Sequence, residues 1–264
     1  MPSGQPPPVQ TSQSAAVLTI TIAREARRNA LNADVAAGIM AALDRAEADP
    51  SIRAVILTGA GDRAFCAGGD LQPDADGAPF SLNPADPRHY VPALLARMEA
   101  CRLPLIARVN GAALAGGFGL MCACDLVVAR DDVMLGVTEV RLGLFPMMIL
   151  PVLLRAVPHR MLLEMCLTGE PLTARAALAE RIVNHIAPAS RLDEMVDDLV
   201  ARIVQQSPTG IRLGKQGLAT IRTMSMESAL AYAPFMLVNM ARTKDAREGF
   251  AAFNERRPAV WTGE

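Results

Sequence analysis

Apolar residues alternate with threonine over residues 16–23 (AVLTITIA), the two-residue period of a strand. Over 33–48 the period lengthens. Val35, Ile39 and Leu43 fall on one helical face behind Asn32, an N-cap residue type, and Asp49-Pro50 supplies a stop. Residues 53–58 (RAVILT) are almost wholly apolar, as in a strand covered on both faces. Strand, helix, strand predicts a parallel crossover. The pattern recurs as a helix over 89–101, a strand over 105–109, a helix over 116–123, and strands over 126–129 and 134–137, which predicts an α/β core. Residues 72–88 hold four prolines and no usable periodicity, and are expected to form a mobile surface loop or lid.

After Pro146 the character shifts. Helical spacing and length run through 148–156, 160–168, 173–181, 192–205, 209–220, 227–242 and 245–254, separated by Pro, Gly or Ser, with one further strand over 182–186. The last third is expected to be a helical layer that buries apolar surface against other subunits. The domain reading is a disordered tail over 1–14, a core over 15–200 and a helical region over 201–264.

Composition narrows the function classes. A net charge of −1 with dispersed Lys and Arg lacks the basic footprint of a nucleic-acid binder. Five cysteines and three histidines show no zinc-ligand spacing, so no metal is expected and the thiols are expected reduced. The opening MPSGQPPPVQTSQS has neither a basic start nor an apolar run; it does not read as a signal peptide, which points to the cytoplasm. The apolar run over 109–124 is shorter than the ~20 residues of a spanning helix, is broken by glycines, and predicts a buried strand-turn-helix instead of a membrane segment.

Three loops could carry chemistry. TGAGDRAFCAGGDL (58–71) follows a buried strand, and its glycines permit close backbone approach to a ligand, although the spacing matches no nucleotide-binding motif. NGAALAGGFGLMCACDL (110–126) has no charge between Asn110 and Cys124. It places Gly116-Gly117 at a helix start, where free N–H groups can stabilise negative charge. Paired with an amide of Gly68-Gly69, such a donor could hold an enolate oxygen. In the third loop, GVTEVRLGLFP (136–146), Glu139 stands among apolar neighbours. It reads either as a proton-transferring carboxylate with a raised pKa or as a structural partner of Arg141.

FCAGGDL, NGAALAGGFGLMCACDL and TEVRLGLFP, in this order and spacing, resemble the enoyl-CoA hydratase/isomerase (crotonase) superfamily. The resemblance extends from RRNALN through LTGEPLTARAALAERIVNHI to DAREGFAAFNERR. It implies an α/β, crotonase-like spiral of ββα repeats with a C-terminal helical trimerisation region, assembled as a homotrimer or hexamer. It further implies an acyl-CoA thioester substrate, with coenzyme A as part of the substrate and no separate cofactor. Carried over motif by motif, it implies oxyanion-hole amides at Gly69 and Gly116, and contacts to CoA or the acyl chain at Ala67, Gly68, Asp70 and Leu71. Arg27, Arg28 and Ala30 fall where relatives contact the CoA nucleotide and pantetheine. Phe253 and Arg257, with Phe250 and Arg256, fall where relatives reach the CoA of a neighbouring subunit. On charge alone, this last segment reads equally well as a subunit-contact helix.

One departure stands out. The family's hydratases typically use two glutamates; the second falls on Glu139, but the first falls on Gly119, which has no side chain. Water addition needs a base for water and an acid for the α carbon. A single carboxylate can do both through one water, or can move a proton from C2 to C4. The expected activity is therefore hydration of a 2-enoyl-CoA with Glu139 as acid/base. Double-bond isomerisation is the alternative, and a catalytically inactive acyl-CoA-binding protein is the alternative of another class. Gly119 is expected to leave room for a bulky acyl group beside Phe118, Met147, Met148 and Leu150, although Met residues of this kind also read as ordinary core.

Overall fold

The computed structural model of the chain describes residues 6–71 and 89–264. The elements begin with β1 (Val9–Ser14), β2 (Val17–Ile22), α1 (Ala33–Ala48), β3 (Ala54–Gly59), β4 (Ala64–Cys66) and α2 (Tyr90–Glu99). There follow β5 (Leu105–Val109), β6 (Ala112–Leu114), α3 (Gly116–Cys122), β7 (Leu126–Arg130) and β8 (Met134–Gly136). After a 3-10 turn over Glu139–Leu142 come α4 (Leu150–Ala156), α5 (His159–Thr168), β9 (Leu172–Thr173), α6 (Ala174–Ala179) and β10 (His185–Ala187). Four helices end the fold: α7 (Leu192–Val204), α8 (Pro208–Ile221), α9 (Met226–Ala241) and α10 (Lys244–Glu255).

The strands form two sheets. The larger runs β1-β2-β3-β5-β7-β10, all parallel except the antiparallel edge strand β1. The smaller runs β4-β6-β8-β9, with β4, β6 and β8 parallel and β9 antiparallel. Side-chain alternation divides the core. Val55 and Leu57 of β3 face the main cluster with Val35, Ile39 and Leu43 of α1, while Ala54 and Ile56 face Leu192, Val196 and Leu199 of α7. Both faces of the parallel sheet are covered, which explains the nearly unbroken apolar run of β3. Asn32 caps α1 as expected, its side chain accepting the Val35 N–H at 3.0 Å.

The expected disordered tail over 1–14 is corrected in part, because Val9–Ser14 forms β1. Its side chains are mostly exposed, and six residue pairs of backbone register with β2 hold it in place. β4, β6 and β9 are two or three residues long, too short for a period to show. The run over 109–124 proves to be the end of β5, then β6 and α3. Among the described residues no helix is long and apolar enough to cross a membrane. The expected lid over 72–88 lies outside the described residues.

Candidate active site

The three glycine-bearing loops leave the carboxyl ends of three neighbouring parallel strands. β4 ends at Cys66, β6 at Leu114 and β8 at Gly136, and the pairings Cys66↔Ala113 and Leu114↔Gly136 set those ends side by side. Ligands of α/β sheets bind where loops gather at this edge. The loop ends are further joined by the Ala115 N–H, which donates to the Gly136 carbonyl at 2.8 Å.

Two buried asparagines hold the loops. Asn110 accepts the Gly59 N–H at 3.1 Å and donates to the carbonyls of Gly59 and Gly61 at 2.8 and 2.6 Å. Asn29, in the left-handed region at φ 56, donates to Ala60 and Ala64 carbonyls at 2.9 and 2.7 Å and accepts the Arg24 N–H. Neither was singled out from sequence as a site-building residue. The only signal was an Asn at a turn, which many loops share. Gly117 permits the approach of α3 to β4, since a Cβ there would lie 2.0 Å from the Cys66 carbonyl oxygen.

This packing brings Gly69 and Gly116 together. A Cβ built on Gly116 would stand 3.5 Å from the Gly69 nitrogen, and one on Gly68 would stand 3.4 Å from the Gly116 nitrogen. Gly69 forms a parallel bridge with Leu31, in which the Leu31 N–H donates to Gly68 and the Asp70 N–H donates to Leu31, both at 2.7 Å. In that geometry the N–H of Gly69 points away from Leu31. The Gly116 N–H opens α3, where no intrahelical acceptor exists. Among the described residues neither amide has a hydrogen-bond acceptor. The turn between β6 and α3 puts Ala115 at φ 49 and ψ −126, a conformation that alanine holds only under constraint. Two adjacent, unbonded N–H groups fixed in this way can bind an oxygen that gains negative charge.

Glu139 follows β8 by three residues and is half-buried. Burial raises its pKa above the ordinary 4.5, against the lowering effect of its own N–H and that of Thr138, which donates to Oε2 at 2.9 Å. No ion pair to Arg141 forms; among the described residues Glu139 has no salt-bridge partner. The Cys66 thiol at the end of β4 is pushed up to about 12 by burial, and so is no nucleophile at neutral pH.

The remaining expected residues divide into three groups. Arg27, Arg28 and Ala30 sit beside the first loop, through Ala67 N–H to the Arg28 carbonyl at 3.0 Å and the Leu31 bridge. Arg27 and Arg28 are exposed, while Ala30 is buried. Ala67 and Gly68 line the same loop, Leu71 is exposed, and Asp70 is engaged by Arg24 at 2.7 Å. Phe253 and Arg257 are set apart, at the end of the layer formed by α8, α9 and α10. There Phe253 is 81% exposed, and Arg257 is held by Glu248 and Glu255.

Gly119 overturns an expectation. The space beside it is filled by Ile149, whose Cγ2 would lie 2.4 Å from a Cβ at 119. Phe118 is fully buried in the core, and Met147 is 64% exposed. The missing side chain at 119 therefore leaves no vacant room for an acyl group. A neighbouring segment has taken it up.

Comparison with known proteins agrees with this architecture. Residues 12–264 match the family model described as enoyl-CoA hydratase/isomerase. The chain is 38% identical, over 88% of its length and 92% of the relative's, to a putative enoyl-CoA hydratase of Thermus thermophilus. It is 31% identical to the (E)-benzylidenesuccinyl-CoA hydratase of Thauera aromatica, over 97% of this chain and 99% of that one. The crystal structure of an enoyl-CoA hydratase from Mycobacterium tuberculosis, 34% identical, superposes with a TM-score of 0.87 over 98% of this chain and 100% of that one. With its two sheets, its three loops at one strand edge and its helical C-terminal layer, the chain belongs to the enoyl-CoA hydratase/isomerase family and has the crotonase-type fold.

Proposed function

We propose that the chain adds water across the double bond of a 2-enoyl-CoA thioester. The observation that carries this reading is the pair of adjacent, unbonded amides at Gly69 and Gly116, with the half-buried Glu139 leaving the next parallel strand. The thioester oxygen sits between the two N–H groups. Glu139 takes a proton from water as the oxygen of that water bonds to C3, and the electron pair of the double bond moves through C2 onto the thioester oxygen as an enolate. Glu139 then returns the proton to C2, and the enolate collapses to the 3-hydroxyacyl thioester. The amides favour the step because they bind the enolate more strongly than the neutral carbonyl. Ala67, Gly68, Asp70 and Leu71 follow the pantetheine and the acyl group, while the exposed Arg27 and Arg28, beside Ala30, supply charge for the CoA phosphates.

Ile149 beside Gly119 favours a second reading, isomerisation, because this wall of α3 offers no second acid or base. In that reaction Glu139 removes a proton from C2 of a 3-enoyl-CoA, the electrons pass to the thioester oxygen, and the proton returns at C4. Offering purified protein 2-enoyl-CoA and 3-enoyl-CoA separates the readings. Water addition to the first supports hydration, and bond migration in the second supports isomerisation. Tight binding of CoA esters without turnover of either would leave an acyl-CoA-binding protein.

The assembly is proposed as a homotrimer or a hexamer built through the helical layer. α9 has no buried residue in the single chain, and Leu230, Phe235 and Leu237 on it are 67%, 72% and 68% exposed. Phe253 and Arg257 would then meet the CoA of a neighbouring copy. A cytoplasmic location remains part of the proposal.

A further inference from the structure

α3 and the segment that follows Glu139 converge at one tight contact, Ile149 on Gly119. A Cβ at 119 would lie 2.4 Å from Ile149 Cγ2 and 2.6 Å from its Cβ, so the isoleucine rests directly on the helix backbone. Gly119 follows Gly116 by three residues in α3 and shares its face, about 4.5 Å further along the axis. Ile149 therefore covers α3 one turn beyond the residue whose amide opens the helix. Ile149 is only 3% exposed and is well held. Its N–H donates to the Pro146 carbonyl at 3.2 Å, and its own carbonyl accepts the N–H groups of Val152 and Leu153 at 3.1 Å.

The reacting carbons of a thioester held by Gly69 and Gly116 must lie within reach of Glu139, and hence between α3 and the segment that carries Glu139. Ile149 belongs to that segment and closes it back onto α3. We propose that Ile149 is the floor of the acyl site and determines specificity against acyl groups that are branched or aryl-substituted close to the reacting carbons. The inference rests on the proposed acyl-CoA reading. A buried isoleucine fixed by its own backbone does not yield as a methionine would, whereas its truncation leaves an apolar cavity that takes apolar groups.

The test compares the wild type with Ile149→Val and Ile149→Ala. Calorimetry measures binding of straight-chain saturated acyl-CoA and of 3-phenylpropanoyl-CoA, and turnover is followed with the corresponding 2-enoyl esters. In Ile149→Ala the aryl-to-straight preference is expected to rise about tenfold or more, both in affinity and in kcat/KM. Ile149→Val should move it about twofold the same way, which keeps the test decisive should the alanine variant fail to fold. An unchanged preference in folded variants overturns the inference while leaving the reaction intact. A shifted binding preference without turnover of any enoyl ester upholds the floor and overturns the reaction. Failure of the wild type to bind any CoA ester overturns both.

Discussion

Asp245, wholly buried at the start of α10, receives five hydrogen bonds: from the Ser207 and Thr262 hydroxyls and from the N–H groups of Thr209, Thr262 and Gly263. Burial pushes its pKa up, but the N–H groups of Gly263 and Thr262, the Ser207 hydroxyl and the Thr209 N–H outweigh that and hold it at about 2. Glu139, half-buried at the edge of the smaller sheet, receives among the described residues only its own N–H and that of Thr138, and burial prevails, raising its pKa. Donor count decides the difference. In the helical layer the donors favour the charged form of a carboxylate that anchors the structure, and at the strand edge burial favours the protonated form.

The largest effect expected from this contrast is on catalysis. Glu139→Gln should lower kcat/KM on an enoyl-CoA by about a thousandfold, the scale of general acid–base catalysis, with the melting temperature nearly unchanged. Turnover that survived this change would remove Glu139 from the mechanism. Asp245→Asn should do the converse, costing about 3 kcal/mol in urea unfolding at pH 7, because donors lose a charged acceptor in a buried site. A depressed folded pKa contributes stability that is present above the ordinary 3.8 and lost as pH falls toward about 2. The difference between Asp245→Asn and wild type should therefore shrink over that interval.

Gly117→Ala strikes the strand edge without altering either carboxylate. Its Cβ would press on the Cys66 carbonyl, and the expected cost is about 2 kcal/mol of overpacking together with a fall of about a hundredfold in kcat as α3 shifts. A smaller effect is the pH dependence of Glu139. With a folded pKa above 4.5, its contribution to stability is fully present below 4.5 and is lost as pH rises through the raised value. The same ionisation should give the rate an acid limb centred above 4.5, which Glu139→Gln abolishes from residual turnover. The smallest change in single-chain stability, within about 0.5 kcal/mol, is expected for Phe235→Ser. Sedimentation should nonetheless show that variant moving from trimer or hexamer toward single-chain mass. An unchanged assembly would place the contact elsewhere than α9.

Much of this organisation was legible in the chain. α1 showed itself through Asn32 and the spacing of Val35, Ile39 and Leu43, and β3 through its apolar run. The glycine pairs 68–69 and 116–117 marked where backbone segments come close together, since close approach requires the loss of Cβ. β1 was hidden because its side chains are polar and its pairing is made by backbone groups, which leave no apolar signature. β4, β6 and β9 are shorter than two periods. Asn29 and Asn110 carry no signal beyond that of an asparagine in a loop, and only the folded chain shows each side chain bridging two strands' loops. The Gly119 position was misjudged for a related reason. A residue thirty positions away decides whether a missing side chain leaves a hole.

That contact also constrains the order in which this site can change. Any side chain introduced at Gly119 meets Ile149 at once, so a substitution there is penalised in the present background whatever chemistry it would bring. Loss of the 149 side chain down to glycine must come first, because even alanine keeps the Cβ 2.6 Å from a side chain at 119, and by itself that loss only loosens the core. The route from one carboxylate to two thus descends before it climbs. The pair Gly119 and Ile149 behaves as a ratchet, holding position 119 without a side chain for as long as Ile149 is present.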